Sequence, residues 1–308
     1  MQVVRDLKNS LNKPCAICMG NFDGMHRGHQ MMIDATVNYA KQHNLVSTVI
    51  LFEPHPKEFF QQQNAPARLM LLSDKIARLQ QWGVDQVICL RFNKQLASTS
   101  ADHFVNAVLL QQLHMQAIII SEGARFGHKQ MGDITLLQKL SKQHGFVIIQ
   151  PEKLLHAAER VSSTKIRDLL MLGDCEKVAE LLGHPYQMTG RIIYGNQLGR
   201  TLGFPTINIA CQRKTVALSG IFAVDVQLEF YPQTFQGVAH IARRSIVNDT
   251  KPILEVNIFD FNEDVYGQRA TISFLHKIRD TKAVSDLDEL KQLIQHDADD
   301  VKQYFHVE

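Results

Sequence analysis

Cys15-Ala16-Ile17-Cys18-Met19 runs straight into Gly20-Asn21-Phe22-Asp23-Gly24-Met25-His26-Arg27-Gly28-His29, and this junction decides the fold of the first half. The opening five residues are an unbroken apolar run, the mark of a strand covered on both faces. Gly20, Gly24 and Gly28 then allow tight turns and close approach of backbone to a ligand. Residues 31–41 have helical spacing, so the segment is a strand-to-helix turn. Free amides and the dipole at a helix opening favour an anion such as phosphate. His26 and His29 are three apart and share one side of the first turn. Two imidazole donors there can stabilise charge on a transferring phosphoryl group. A glycine-rich surface loop with two histidines is the plainer reading. Position at the carboxyl end of a strand, where parallel sheets bind ligands, favours the phosphate site. With no third ligand nearby, the two histidines alone do not make a metal site.

Outward from that junction the pattern repeats. Apolar runs at 46–52, 84–90, 117–120 and 146–149 alternate with helical spacing at 73–82, 101–114 and 134–144. Gly83 and Gly145 stand where helix stops are expected. Five strands alternating with helices predict an α/β doubly wound, mostly parallel sheet. Residues 162–182 read as two short helices interrupted at Gly173-Asp174, and Gly183-His184-Pro185 ends them. The texture then changes to extended runs at 187–194, 206–210, 221–231, 237–241, 254–261 and 270–275. Leu254, Val256 and Ile258 alternate with Glu255, Asn257 and Phe259, a period of two. Strands in series without helices predict a small antiparallel β-barrel. A C-terminal helix follows, with Ser285 as the expected N-cap and Leu287, Leu290, Leu293 and Ile294 on one stripe. The expected boundary is near Gly183, dividing 1–183 from 184–308.

Composition removes several classes. The 308 residues balance 33 basic against 31 acidic side chains, so bulk charge offers no hold on nucleic acid or an anionic membrane. No apolar run nears the roughly 18 residues that cross a bilayer. The start Met-Gln-Val-Val-Arg-Asp lacks a signal peptide's apolar stretch, and the cytoplasm is the expected compartment. Five cysteines, few and odd in number, argue against a disulfide framework. Cys15 and Cys18 have C-x-x-C spacing, but residues an odd number apart on a strand point to opposite faces. They are expected to be buried structural thiols. Neither G-x-G-x-x-G nor a Walker A loop occurs, so dinucleotide oxidoreductase and P-loop kinase readings lose their support.

A second glycine-rich stretch is Gly195-Asn196-Gln197-Leu198-Gly199-Arg200-Thr201-Leu202-Gly203-Phe204-Pro205-Thr206-Ile207-Asn208. Glycines four apart suit either a plain hairpin loop or a flap whose amides wrap phosphates. Pro205 fixes the turn into the next strand, and Thr206 and Asn208 then share a face. Both carry hard oxygen ligands suited to Mg²⁺. Glu255 stands opposite the apolar stripe of its strand, as an exposed glutamate or as a base near a substrate hydroxyl.

The first junction, with H-x-G-H at the helix start, resembles the HxGH nucleotidyltransferase superfamily, whose domains are Rossmann-like. In fuller form it is similar to the adenylyltransferase module of bacterial FAD synthetases. Phe52-Glu53-Pro54-His55-Pro56, Arg68-Leu69, Arg125-Phe126-Gly127 and Ser162-Ser163-Thr164-Lys165-Ile166-Arg167 match the same family in order. The 195–208 stretch resembles the riboflavin kinase motif G-x-x-x-G-R-x-L-G-F-P-T-x-N, and Tyr266-Gly267 and Lys277-Ile278-Arg279-Asp280 follow it. The chain thus resembles the bifunctional riboflavin kinase/FMN adenylyltransferase family along nearly its whole length.

The resemblance implies phosphorylation of riboflavin to FMN by the barrel and adenylylation of FMN to FAD by the α/β half, with ATP as co-substrate and Mg²⁺ as cofactor. It implies catalytic roles for His26, His29, Arg167 and Glu255. Gly20, Phe22, Asp23, Gly24, Gly28, Ser162, Ser163 and Thr164 would meet ATP, and His55, Pro56, Arg125 and Phe126 would meet the flavin. In the kinase half Gly195, Gly199, Arg200, Gly203, Phe204, Pro205 and Arg279 would hold ATP and flavin, with Thr206 and Asn208 on Mg²⁺. The expected partners are these small molecules, with the chain a monomer or weak homo-oligomer. Gly123 and Ala124 replace the family's Asp/Asn and aromatic, and 240–246 departs from its Asn-Ile-Gly-x-Arg-Pro-Thr. Two other readings are a kinase whose adenylyltransferase half has decayed and a flavin-binding regulatory module.

Overall fold

The computed structural model describes residues 1–7, 10–152, 155–156, 159–195, 202–213, 215–242 and 252–307. They form two compact units, one of residues 1–66 and 71–161, the other of 67–70 and 162–308.

In the first unit six strands make one parallel sheet: β1 (Gln2–Val4), β2 (Cys15–Met19), β3 (Val46–Glu53), β4 (Gln86–Arg91), β5 (Met115–Ile119) and β6 (Val147–Ile149), in the order β1-β4-β3-β2-β5-β6. The strand order turns back on itself around β2, between β3 and β5. Such a reversal leaves a crevice at the carboxyl ends, where the glycine turn lies. The expected doubly wound α/β sheet is present, with β1 as a further edge strand that no apolar pattern announces.

Helices cover both faces. They are α1 (Arg27–Gln42), α2 (Pro56–Gln61), α3 (Leu72–Gln81), α4 (Lys94–Ser98), α5 (Ala101–His103, continuing as π-helical turns over Phe104–Gln112) and α6 (Ile134–His144). Cys15 and Ile17 of β2 pack with Phe104, Leu109, Leu137 and Leu140 in one core. Cys18 is fully buried on the other face, against Thr36 of α1. The two thiols of the C-x-x-C therefore lie on opposite sides of the sheet, as strand alternation requires. Each fully buried apolar side chain of this kind contributes about 1.5–3 kcal/mol. A two-stranded ribbon, β7 (Leu155–His156) with β8 (Glu159–Arg160), ends the unit.

The second unit opens with α7 (Ser163–Leu172) and α8 (Cys175–Leu182), capped at their starts by Ser162 and Asp174 and stopped by left-handed Gly173 and Gly183. Six antiparallel strands then close into a barrel: β9 (Tyr186–Ile193), β10 (Ile207–Ala210), β11 (Gly220–Leu228), β12 (Thr234–Ile241), β13 (Ile253–Ile258) and β14 (Arg269–Arg279), ordered β10-β13-β12-β11-β14-β9. Leu254, Val256 and Ile258 point into the core. The expected antiparallel barrel and C-terminal helix, α9 (Leu287–Val307), are both present. The main stretch of this unit begins at Ser162, ahead of the change in texture near Gly183: His276 Nδ1 of β14 donates to the Glu176 carboxylate of α8 at 2.7 Å. One cap differs from expectation. Asp286, not Ser285, accepts the Glu289 amide at 2.8 Å, while Ser285 bonds the Glu289 carboxylate from one residue further out. Asp286 is the N-cap because it stands directly before the helix start at Leu287, where its carboxylate reaches the third helical amide.

Candidate functional site

The first unit carries the glycine-rich turn between β2 and α1. Its backbone enters the left-handed region at Phe22 (φ 44°), Gly24 (φ 82°) and Met25 (φ 43°). His26 caps α1, and its Nδ1 accepts the His29 amide at 3.3 Å. That bond leaves the proton of a neutral His26 on Nε2. The imidazoles of His26 and His29 stack with centroids 3.6 Å apart, and the Phe22 ring meets His29 edge-on at 5.2 Å. A Cβ on Gly28 would come within 3.3 Å of the His26 ring, so glycine there lets the ring lie over the helix start. His29 is held well below the ordinary histidine range, first by burial, then by His26, then by the positive charge of Lys75. Its Nδ1 is buried without a hydrogen-bond partner among the described residues.

Lys75 was not foreseen as a site residue. It projects from α3, is 5% exposed, and donates to the Asn21 carbonyl at 2.7 Å with Asp23 Oδ1 at 3.9 Å. The signal available was its place one turn before the buried Leu79, on the apolar side of α3.

The four positions of this unit expected to meet the flavin, His55, Pro56, Arg125 and Phe126, lie on two segments. His55 caps α2 through its Nδ1, which accepts the Lys57 amide at 3.0 Å, and Pro56 opens that helix. Beside them Phe59, Phe60 and Phe92 form an aromatic cluster with centroids 5.2–5.8 Å apart, Phe60 being largely exposed. Sequence spacing had passed over this cluster. Arg125 Nη1 donates to Asp133 at 3.1 Å, and Phe126 packs against the sheet core. Gly123 is left-handed (φ 74°) with open space around it. Glycine is at no disadvantage there, and Asp or Asn is among the few others that tolerate the conformation. The Ser162–Arg167 segment belongs to the second unit, where Arg167 Nε donates to the Ala67 carbonyl at 2.6 Å and Nη1 to Ser163 O at 3.1 Å.

In the second unit a cavity of about 300 Å³ opens on the barrel. Thr206, Asn208, Glu255, His240 and Asn257 line it together with Phe204, Leu202 and Arg279, and α9 supplies Leu290, Leu293 and Ile294. Strand register makes this constellation: Asn208 of β10 lies directly opposite Glu255 of β13, and Glu255 opposite His240 of β12. His240 Nδ1 is 3.8 Å from Glu255 Oε2. Asn257 Nδ2 donates to the Pro205 carbonyl at 2.7 Å, which fastens the end of the glycine stretch to the barrel. Gly195 is there because a Cβ would sit 2.2 Å from the Asn208 amide nitrogen. Gly203 is left-handed (φ 90°). Gly199, Arg200 and 243–246 lie outside the described residues. The Arg279 guanidinium forks onto Asp297 of α9 at 2.6 and 2.6 Å, so it ties the helix to the barrel mouth.

These residues fit a magnesium ion held in the usual way. Mg²⁺ prefers hard oxygen and keeps several waters, taking one or two protein ligands plus substrate phosphates. Thr206 and the buried Asn208 put such oxygens on one wall, and no cluster of three or more His, Cys, Asp or Glu competes for a metal among the described residues.

Comparison with known proteins follows the same division. The FAD synthetase family matches residues 8–165, and the riboflavin kinase family matches 182–305. A bifunctional riboflavin kinase/FMN adenylyltransferase of Haemophilus influenzae is 40% identical, covering 99% of this chain and all of its own. Proteins of the same description from Buchnera aphidicola and Escherichia coli K12 are each 35% identical, over 98% or more of both chains. A solved structure described as a macrolide-efflux protein from Streptococcus pneumoniae shares the fold, with a TM-score of 0.80 at 25% identity over 96% of each chain. No described helix is long and apolar enough to cross a membrane.

Proposed function

Because the chain belongs to the bifunctional riboflavin kinase/FMN adenylyltransferase family and is a transferase with both activities, we infer that its two glycine-rich cradles divide the two reactions between them. Residues 1–183 are proposed to make FAD from FMN, and 184–308 to make FMN from riboflavin. The register that sets Asn208 against Glu255 in one cavity carries the assignment of the kinase site.

In that cavity Glu255 takes the proton of the riboflavin hydroxyl as its oxygen attacks the γ-phosphorus of ATP, and ADP leaves. Thr206 and Asn208 would hold Mg²⁺, which when bound would offset phosphate charge. Gly195, Gly199, Arg200 and Gly203 are proposed to serve the phosphates, and Leu290, Leu293 and Ile294, which line the cavity, to face the flavin ring. Arg279 orients this wall through Asp297.

In the first unit an FMN phosphate oxygen attacks the α-phosphorus of ATP, the bond to the bridging oxygen breaks, and pyrophosphate leaves. The nucleophile is already ionised, so alignment and charge stabilisation suffice. His26 and His29 supply donors, and Gly20, Phe22, Asp23, Gly24 and Gly28 shape the turn. Ser162, Ser163, Thr164 and Arg167, which lie in the second unit, are proposed for the triphosphate on the family resemblance alone, while His55, Pro56, Arg125 and Phe126 are proposed for the flavin. The chain works as a monomer or weak homo-oligomer in the cytoplasm, with no nucleic-acid or membrane partner.

The test is purified protein with riboflavin, ATP and Mg²⁺, the flavins being resolved by chromatography. His29→Ala is expected to accumulate FMN without FAD. Glu255→Ala is expected to leave riboflavin unphosphorylated yet convert supplied FMN to FAD. Loss of both activities by either change in a folded protein sinks the division of labour.

A further inference from the structure

The buried lysine of α3 has no part in the reaction as described so far. We propose that Lys75 is a positioning residue for adenylyl transfer, tying the Asn21–Asp23 turn to α3 and fixing a positive charge beside the stacked His26–His29 pair. The inference rests on the reading of the first unit as the adenylyltransferase.

Lysine is among the residues least often buried, and an ammonium out of water is costly unless paired. Lys75 is 5% exposed, and the partners it reaches, Asn21 O at 2.7 Å and Asp23 Oδ1 at 3.9 Å, both lie in the turn between β2 and α1. A side chain needed only to dock α3 on the sheet would be apolar, like Leu79 one turn further on. Lys75 instead reaches out of its helix to a loop carbonyl and a buried carboxylate. That loop holds Phe22 and Met25 at positive φ, a conformation that persists only where the surroundings over-determine it. The lysine is one of those surroundings.

Its second effect is electrostatic. The charged and titratable groups here include Asp23 and His26 from the loop, Arg27 between the two histidines at the start of α1, and Lys75 from α3, and the Cys89 thiol of β4 also feels the lysine. Burial, His26 and Lys75 all oppose protonation of His29. His29 therefore acts as a neutral imidazole, and His26, whose Nδ1 accepts the His29 amide, offers its Nε2 proton. Negative charge then builds on departing pyrophosphate against fixed donors and a fixed cation, with no proton to be moved.

The experiment uses the full chain with Lys75→Met, Lys75→Gln and Lys75→Arg. FAD formation from FMN and ATP is measured across pH, with riboflavin phosphorylation by the same preparations as the control. Removing the positive charge lets His29 protonate more readily, so the acid limb of kcat for FAD formation moves to higher pH in the Met and Gln variants. At neutral pH kcat falls about 100-fold, as when a change away from the chemistry misplaces the reacting groups, while KM for FMN and riboflavin phosphorylation stay as in the wild type. Lys75→Gln, one atom shorter, keeps a polar donor without the charge, whereas Lys75→Met removes both. Lys75→Arg keeps the charge, and its acid limb stays at the wild-type position. An unmoved limb in the neutral variants, a moved limb in Lys75→Arg, or equal loss of both activities overturns the proposal and leaves a lysine that only holds the fold. If the wild type itself makes no FAD, the reading of the first unit has failed instead.

Discussion

Gly195 shows how much a single missing Cβ can decide. Its backbone lies against the Asn208 amide so closely that a methyl group would stand 2.2 Å from Nδ2. Gly195→Ala must therefore push Asn208 off the cavity wall, at about 1–3 kcal/mol for an overpacked site. The expected result is a raised Mg²⁺ requirement for riboflavin phosphorylation, measured by titrating the metal, with FAD formation from FMN unaltered. The thiols make a second residue-scale case. All five cysteines are free and buried, and burial pushes Cys15, Cys18 and Cys175 up to about 12 from an ordinary value of 9.0. The folded state thus keeps its thiols protonated where the unfolded chain has begun to ionise. Their contribution to stability is whole below pH 9 and is lost as pH rises from 9 towards 12. Unfolding midpoints should fall across that window, and a thiol reagent at pH 8 should label none of the five until denaturant is added. Rapid labelling of the native protein contradicts this.

Among the elements, α9 depends on one bond pair. Asp297 is nearly buried, and both of its oxygens are taken by Arg279 at the end of β14. Asp297→Asn removes the charge and one acceptor, a loss of about 1–3 kcal/mol. Because α9 lines the cavity, KM for riboflavin should rise together with the fall in melting temperature. A lower melting temperature with unchanged KM separates the helix from the flavin. Regular elements were the legible part of the chain. The parallel sheet, the barrel and the stripe of α9 all follow from periods of two and 3.6, because burial enforces those periods. Short or irregular features escaped, among them α2, α4, the β7–β8 ribbon and three others. The three residues of β1 are too short to establish a period, the widening of α5 into π-helical turns leaves the apolar spacing nearly unchanged, and Asp286 competes with Ser285 for the same cap. The sites were legible where glycine and histidine mark them, and dark where they depend on register or reach. Nothing local announces that Asn208 faces Glu255, or that Lys75 leaves its helix for the Asn21 carbonyl.

At the scale of the whole molecule, the proposed division gives the two reactions no shared residue, and FMN is the product of one and the substrate of the other. An equimolar mixture of His29→Ala and Glu255→Ala chains should therefore make FAD from riboflavin, FMN passing between them through solution, after a lag that shortens as protein concentration rises. Absence of FAD from the mixture, with each partner active in its remaining half, would mean that FMN is never released. The closed barrel has one more consequence. All six of its strands are hydrogen-bonded on both sides, and the open sheet ends in β1 and β6, of three residues each. A native chain therefore presents almost no free ladder on which a foreign strand could template itself, so any fibrillar aggregate should be seeded by unfolded molecules rather than by native ones.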